Sequence, residues 1–122
     1  MEANSLILLV DDDPVMLQML RSILESAGHS VLTAESPDEA AMISLGLTLN
    51  LIVTDLVMDP VDGFEFIERQ RRNQESPPIL VMSSLANSKS VTRAASLGIN
   101  DYILKPFRLS IFMEKVEKIL RR

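Results

Sequence analysis

A chain of 122 residues, 47% hydrophobic and 24% charged, has enough apolar side chain to bury one core and is the size of one ordinary domain, which excludes a disordered tail and leaves no room for a second domain. A formal charge of -5 gives no general attraction for nucleic acid or anionic lipid, so direct DNA binding is not expected. With no cysteine, disulfides and thiolate metal sites are excluded, which suits a cytoplasmic setting, and the first apolar run is much too short for an export signal or a membrane span.

Leu6 to Val10 is a continuous apolar run that stops at three aspartates, the pattern of a strand buried on both faces of a parallel sheet. Asp13-Pro14 supplies an N-cap with proline at the first helical position, Met16, Met19, Leu20, Ile23, Leu24 and Ala27 follow at helical spacing, and Gly28 ends the helix. The next unit repeats this grammar: a strand over Val31 to Ala34, then Ser36-Pro37-Asp38-Glu39 as a capping box opening a helix to about Gly46. Leu51 to Thr54 is the third strand, and Asp62-Gly63 reads as a turn before a helix carrying Phe64 and Ile67. Pro78 to Met82 is the fourth strand. It is followed by a polar loop and a helix with Val91, Ala94 and Ala95 inward, closed by Gly98. Asp101 to Leu104 is the fifth strand, and the last helix gathers Leu109, Phe112, Met113, Val116, Ile119 and Leu120 on one stripe. Strands alternating with helices through short loops predict a parallel sheet covered on both faces.

Ligands in such folds bind beyond the carboxyl ends of the strands, and the residues there are Asp11 and Asp12, Asp55, Ser83 and Lys105. Converging carboxylates repel one another strongly in a cleft of low dielectric, and a divalent cation relieves that repulsion. An oxygen-rich donor set favours a hard ion, Mg2+ first and Mn2+ as a substitute. A carboxylate beside such an ion can take up a phosphoryl group as an aspartyl phosphate, with Lys105 helping to neutralise the transferred charge and the Ser83 hydroxyl able to bond the new oxygens. Each residue also has a plainer reading: acids favour helix N-termini, most lysines are solvated, and serines are common in loops. Three consecutive acids exceed the needs of one cap, however, and Asp55 ends a different strand.

The segments LILLVDDDP, LIVTDLVMDPVDGFEF, ILVMSS and DYILKPF, in this order and at these separations, resemble the receiver family of two-component signalling, which includes the bacterial chemotaxis response regulator. The likeness covers essentially the whole chain, residues 1–122. It implies a flavodoxin-like α/β three-layer sandwich, with a five-stranded parallel sheet in the order 2-1-3-4-5 and five helices. It further implies that Asp55 is the phosphoacceptor, that Asp11, Asp12, Asp55 and the Val57 backbone carbonyl hold the metal, and that Lys105 precedes a cis proline. Ser83 and Tyr102 match the switch pair. A sensor histidine kinase or histidine phosphotransfer protein is the implied donor, docking near the first helix and the loop after Lys105 with Val15 and Phe107 in contact. The output partner is not legible.

Two departures from the family pattern stand out. The proline expected directly after Met58 is displaced to Pro60, which puts Asp59 near the site and predicts slower entry of anionic phosphodonors. Val57 and Leu85 flank the acceptor and switch positions and are both apolar; with nothing to orient an attacking water, slow self-dephosphorylation is expected.

Three alternatives share parts of this pattern. A degenerate receiver that binds its partner constitutively would not need the full set of Asp11, Asp12, Asp55, Ser83 and Lys105. An aspartate-nucleophile phosphatase would place its nucleophile after the first strand and needs a cap domain. A flavodoxin-like flavin binder would want a hydroxyl- and glycine-rich first loop, where Asp11 to Asp13 would repel its phosphate. His29 reads as a surface loop residue, and the seven methionines read mostly as core filler.

Overall fold

The computed structural model describes residues 5–56, 63–72 and 76–121. Five strands, β1 (Leu6–Val10), β2 (Ser30–Ala34), β3 (Leu51–Thr54), β4 (Ile79–Ser83) and β5 (Asp101–Leu104), alternate with five helices, α1 (Pro14–Ser26), α2 (Pro37–Ser44), α3 (Gly63–Arg71), α4 (Ser88–Ser96) and α5 (Leu109–Leu120). The strands form one parallel sheet in the order β2-β1-β3-β4-β5. That is the predicted flavodoxin-like arrangement.

Alternation along each strand divides the core. Ile7 and Leu9 of β1, Leu51 and Val53 of β3, and Leu80 and Met82 of β4 pack with Leu17, Leu20 and Leu24 of α1 and with Phe112, Val116 and Ile119 of α5. The residues between them, including Leu8, Val10, Ile52, Ile79 and Val81, face Ala40 of α2, Phe64, Phe66 and Ile67 of α3, and Ala94 of α4. Because side chains on successive strand residues point to opposite faces, a central strand must be apolar throughout, which is why these runs are continuous.

Local chemistry sets the helix starts. The Asp13 carboxylate caps α1, accepting from the N–H groups of Val15 at 3.0 Å and Met16 at 3.4 Å, with Pro14 as the first helical residue. The Ser36 hydroxyl caps α2 by accepting from the Glu39 N–H at 3.1 Å, while the Glu39 carboxylate reaches back to the N–H of Glu35 at 2.6 Å.

Several expected inward positions face outward. The buried stripe of α1 is Leu17, Leu20 and Leu24, and Met19, two residues or about 200° of helix turn from Leu17, lies on the exposed side. Met42 is 78% exposed, so the methionines are not uniformly core filler. Of the three residues expected inward on α4 only Ala94 is buried. Ala95 lies about 100° round the helix from it and is exposed, as is Val91. His29 is the reverse case: it is buried, and its Nε2 lies 2.9 Å from Oε2 of Glu117 on α5. A helix that returns after 88 residues covers the α1–β2 corner, which no local pattern announces. Among the described residues, no helix is long and apolar enough to cross a membrane.

Candidate functional site

Sheet register brings the strand-end residues level. Val10 pairs with Thr54, so Asp11 and Asp55, each one residue further on, lie side by side. The ladder continues past the strands, with Asp11 N–H donating to the Ala34 carbonyl and Asp55 N–H to the Val10 carbonyl, at 3.1 and 3.0 Å. Ser83 pairs with Leu104, and the Lys105 N–H donates to the Ser83 carbonyl at 2.9 Å, which aims the lysine back across the sheet.

The two buried acids are held in the same way. In Asp11, 0% exposed, Oδ1 accepts from the Asp13 N–H at 3.0 Å and Oδ2 from Lys105 Nζ at 2.7 Å. In Asp55, 6% exposed, Oδ1 accepts from the Leu56 N–H at 2.7 Å and Oδ2 from the same ammonium at 3.0 Å. Each carboxylate is oriented by a neighbouring peptide and shares Lys105. The buried Thr54 hydroxyl donates to the Asp55 carbonyl at 3.0 Å, fixing the backbone on which the carboxylate is carried.

Asp12 is exposed and completes the cluster: ligand oxygens of Asp11, Asp12 and Asp55 all lie within 4.8 Å of one another. Three carboxylates and the Lys105 ammonium thus share one corner of the sheet. Desolvation pushes the Asp11 carboxyl above its ordinary value, against hydrogen bonds from Lys105 and the Asp13 N–H, and the nearby Asp55 adds to the upward push. Burial alone would pull Lys105 down, but its hydrogen bonds to Asp11 and Asp55 outweigh this and raise it above its ordinary value. An oxygen-only donor set of three carboxylates fits a hard divalent ion such as Mg2+.

The expected switch residues meet at Leu85. The Ser83 Oγ, fully buried, accepts from the Leu85 N–H at 3.1 Å, while the Tyr102 hydroxyl donates to the Leu85 carbonyl at 2.7 Å. One residue of the β4–α4 loop is thus gripped from both sides. The Lys105-Pro106 peptide is cis, as the resemblance implies. Of the two residues expected at the docking surface, Val15 is 74% exposed, whereas Phe107 is half-buried and stacked on Phe112 with ring centroids 5.5 Å apart. Val57, expected to offer its carbonyl to the metal, and Met58, Asp59 and Pro60 lie outside the described residues.

Sequence reasoning missed two contributors. In the sequence Thr54 shows only as the end of an apolar strand, with nothing to mark its hydroxyl. Gly63 was read as turn chemistry, although its N–H donates to the Leu56 carbonyl at 3.0 Å and its Cα packs against the backbone of Asp55 and Leu56.

Comparison with known proteins agrees with this geometry. Residues 7–117 match the family model described as the response regulator receiver domain. The chain is 33% identical over 116 residues to the regulatory protein VanRB of Enterococcus faecalis, covering 95% of this chain and 52% of that protein. It is 34% identical over 116 residues to the transcriptional regulatory protein ResD of Bacillus subtilis, covering 95% and 48%. A solved two-component response regulator from Clostridium difficile superposes with a TM-score of 0.91 at 30% identity, covering 98% of each chain. This chain belongs to the response regulator receiver family. Receiver domains are the signalling domains of two-component systems, and this one spans about half the length of the curated relatives it matches.

Proposed function

We propose that this chain is a phosphorylation-controlled switch in which Asp55 accepts a phosphoryl group from a sensor histidine kinase or a histidine phosphotransfer protein. The observation that carries the reading is the shared hold of Lys105 on Asp11 and Asp55, which leaves the Asp55 carboxylate oriented, nearly buried and beside two further acids. Asp11, Asp12 and Asp55 would hold Mg2+, or Mn2+ in its place, with the Val57 carbonyl as the further ligand that the family resemblance implies. Bound there, the ion would neutralise the developing charge of the phosphoryl oxygens.

The protein's own groups do the rest. An Asp55 carboxylate oxygen attacks phosphorus as the bond to the donor breaks, and the Leu56 N–H keeps that carboxylate aimed. Lys105 stays beside the new phosphoryl oxygens as a fixed positive charge. The Ser83 hydroxyl, whose oxygen accepts from the Leu85 N–H, keeps its own proton to donate to a phosphoryl oxygen, and movement of Ser83 toward the phosphate would draw on Leu85, whose carbonyl accepts from Tyr102. The change at Asp55 thus reaches the surface through one loop residue, where an output domain or protein would read it. Self-phosphorylation from small donors and slow self-dephosphorylation belong to the same reading. So do slowed entry of anionic donors past Asp59 and a kinase contact at Val15 and Phe107.

Intact mass after incubation with acetyl phosphate tests the proposal. The wild-type chain gains one phosphoryl group with Mg2+ and none after chelation, and Asp55→Asn gains none. Labelling of Asp55→Asn at the wild-type rate would overturn the assignment.

A further inference from the structure

We infer that Gly63 is a positioning residue for the phosphoacceptor, a role that rests on the function proposed for Asp55. Gly63 is the first residue of α3, is buried, and does not occupy the left-handed region of backbone space, since the positive-φ glycines among the described residues are Gly28, Gly46 and Gly98. Torsional freedom is therefore not what position 63 needs. Space is. A Cβ there would lie 2.6 Å from the Leu56 Cα and 2.8 Å from the Leu56 carbonyl oxygen, and closer still to the Asp55 carbonyl oxygen, separations that real side chains essentially never show.

All three atoms in the way are backbone, so no flexible side chain can swing aside. The peptide that would be struck is the one that aims the acceptor: the Leu56 N–H holds Asp55 Oδ1, and the Asp55 carbonyl takes the Thr54 hydroxyl. The other body in the contact cannot easily retreat, because α3 is anchored by the buried Phe64, Phe66 and Ile67. A side chain at position 63 would therefore displace the end of β3 and shift the Asp55 carboxylate relative to Asp11 and Lys105. Glycine holds α3 against the acceptor peptide and so fixes where the reacting oxygen stands.

The test is Gly63→Ala, with Gly98→Ala as the control for a generally weakened fold. Gly98 is a left-handed position beyond α4, at the opposite edge of the sheet from the acids, so alanine there strains the chain without touching Asp55. Acetyl phosphate labelling by intact mass and Mg2+ affinity by calorimetry are read beside urea stability. The expected result is that Gly63→Ala, still folded, labels at least about 10-fold more slowly and binds Mg2+ more weakly, because an ångström of misplacement is costly in transfer chemistry. Gly98→Ala loses stability but keeps both site parameters. Adding Ile67→Val to Gly63→Ala loosens the seat of α3 and should recover part of the labelling rate while lowering stability further. Unchanged labelling and Mg2+ affinity in folded Gly63→Ala would overturn the inference, as would a Gly63→Ala chain that stays unfolded even in trimethylamine N-oxide, since the clash would then fall on the fold rather than on the acceptor. A wild-type chain that does not label would instead remove the function proposed for Asp55.

Discussion

At each edge of the sheet a half-buried cation ties together segments far apart in sequence, yet the two meet opposite surroundings. At the edge where the strands begin, Arg71 of α3 donates to Ser76 Oγ, the Pro77 carbonyl, the Gly98 carbonyl and Asn100 Oδ1, at 2.6 to 3.3 Å. All four are neutral acceptors, and burial lowers the guanidinium pKa from its ordinary value. At the edge where the strands end, Lys105 meets two buried carboxylates, with a third acid nearby. A cation with satisfied neutral partners is a clamp. A cation outnumbered by acids marks a place that accepts further charge.

The comparison can be broken at either edge, and the largest effect is expected at the acidic one. Lys105→Met removes the only cation joining Asp11 to Asp55 among the described residues, and acetyl phosphate labelling should fall by about 100-fold or more, as when a preorganised electrostatic group is lost. Arg71→Met strips a charged donor from four acceptors and should cost about 2–3 kcal/mol in urea unfolding, with the labelling rate of the folded protein unchanged. If labelling fell with stability, the two edges would not be separable.

Asp11→Asn sharpens the contrast through pH. Because the Asp11 carboxyl holds its proton above its ordinary 3.8, the folded chain binds more protons at this group than the unfolded chain does in the window above that value. Its contribution to metal-free stability is therefore present at low pH, declines as pH rises through that window and is flat above it. The advantage of Asp11→Asn over the wild type should grow with pH accordingly, in urea titrations without metal. With Mg2+ at 100 times its dissociation constant the wild type should gain about 2.7 kcal/mol, and the variant far less. Tyr102→Phe is the smallest change: it frees the Leu85 carbonyl and should cost about 1 kcal/mol, leaving labelling intact.

The acidic edge is more legible in the sequence than the clamp, and for a physical reason. Continuous apolar runs mark buried parallel strands, and Asp11, Asp55 and Lys105 each stand one residue past such a run, so topology alone brings them together. Arg71 has no such marker, because its partners come from two loops and its helix pattern reads as an ordinary solvated end. Gly63 was visible as a glycine, but the closeness it permits depends on where β3 and α3 meet, which spacing along the chain does not encode. His29 was misread because Glu117 covers it from 88 residues away. Met19 and Ala95 show the limit of periodicity on short helices: a rotation of 100° or 200° decides burial, and an alanine or a methionine is tolerated on either side.

The function proposed for the acidic edge depends on acids from separate strands being close enough to require one shared divalent ion. Calorimetric titration with Mn2+, competed by Mg2+, measures this directly in the wild type and in Asp11→Asn. One ion bound per wild-type chain, displaced by Mg2+ and weakened at least about 10-fold in the variant, is the predicted result. No binding, or binding that Asp11→Asn leaves unchanged, would contradict it.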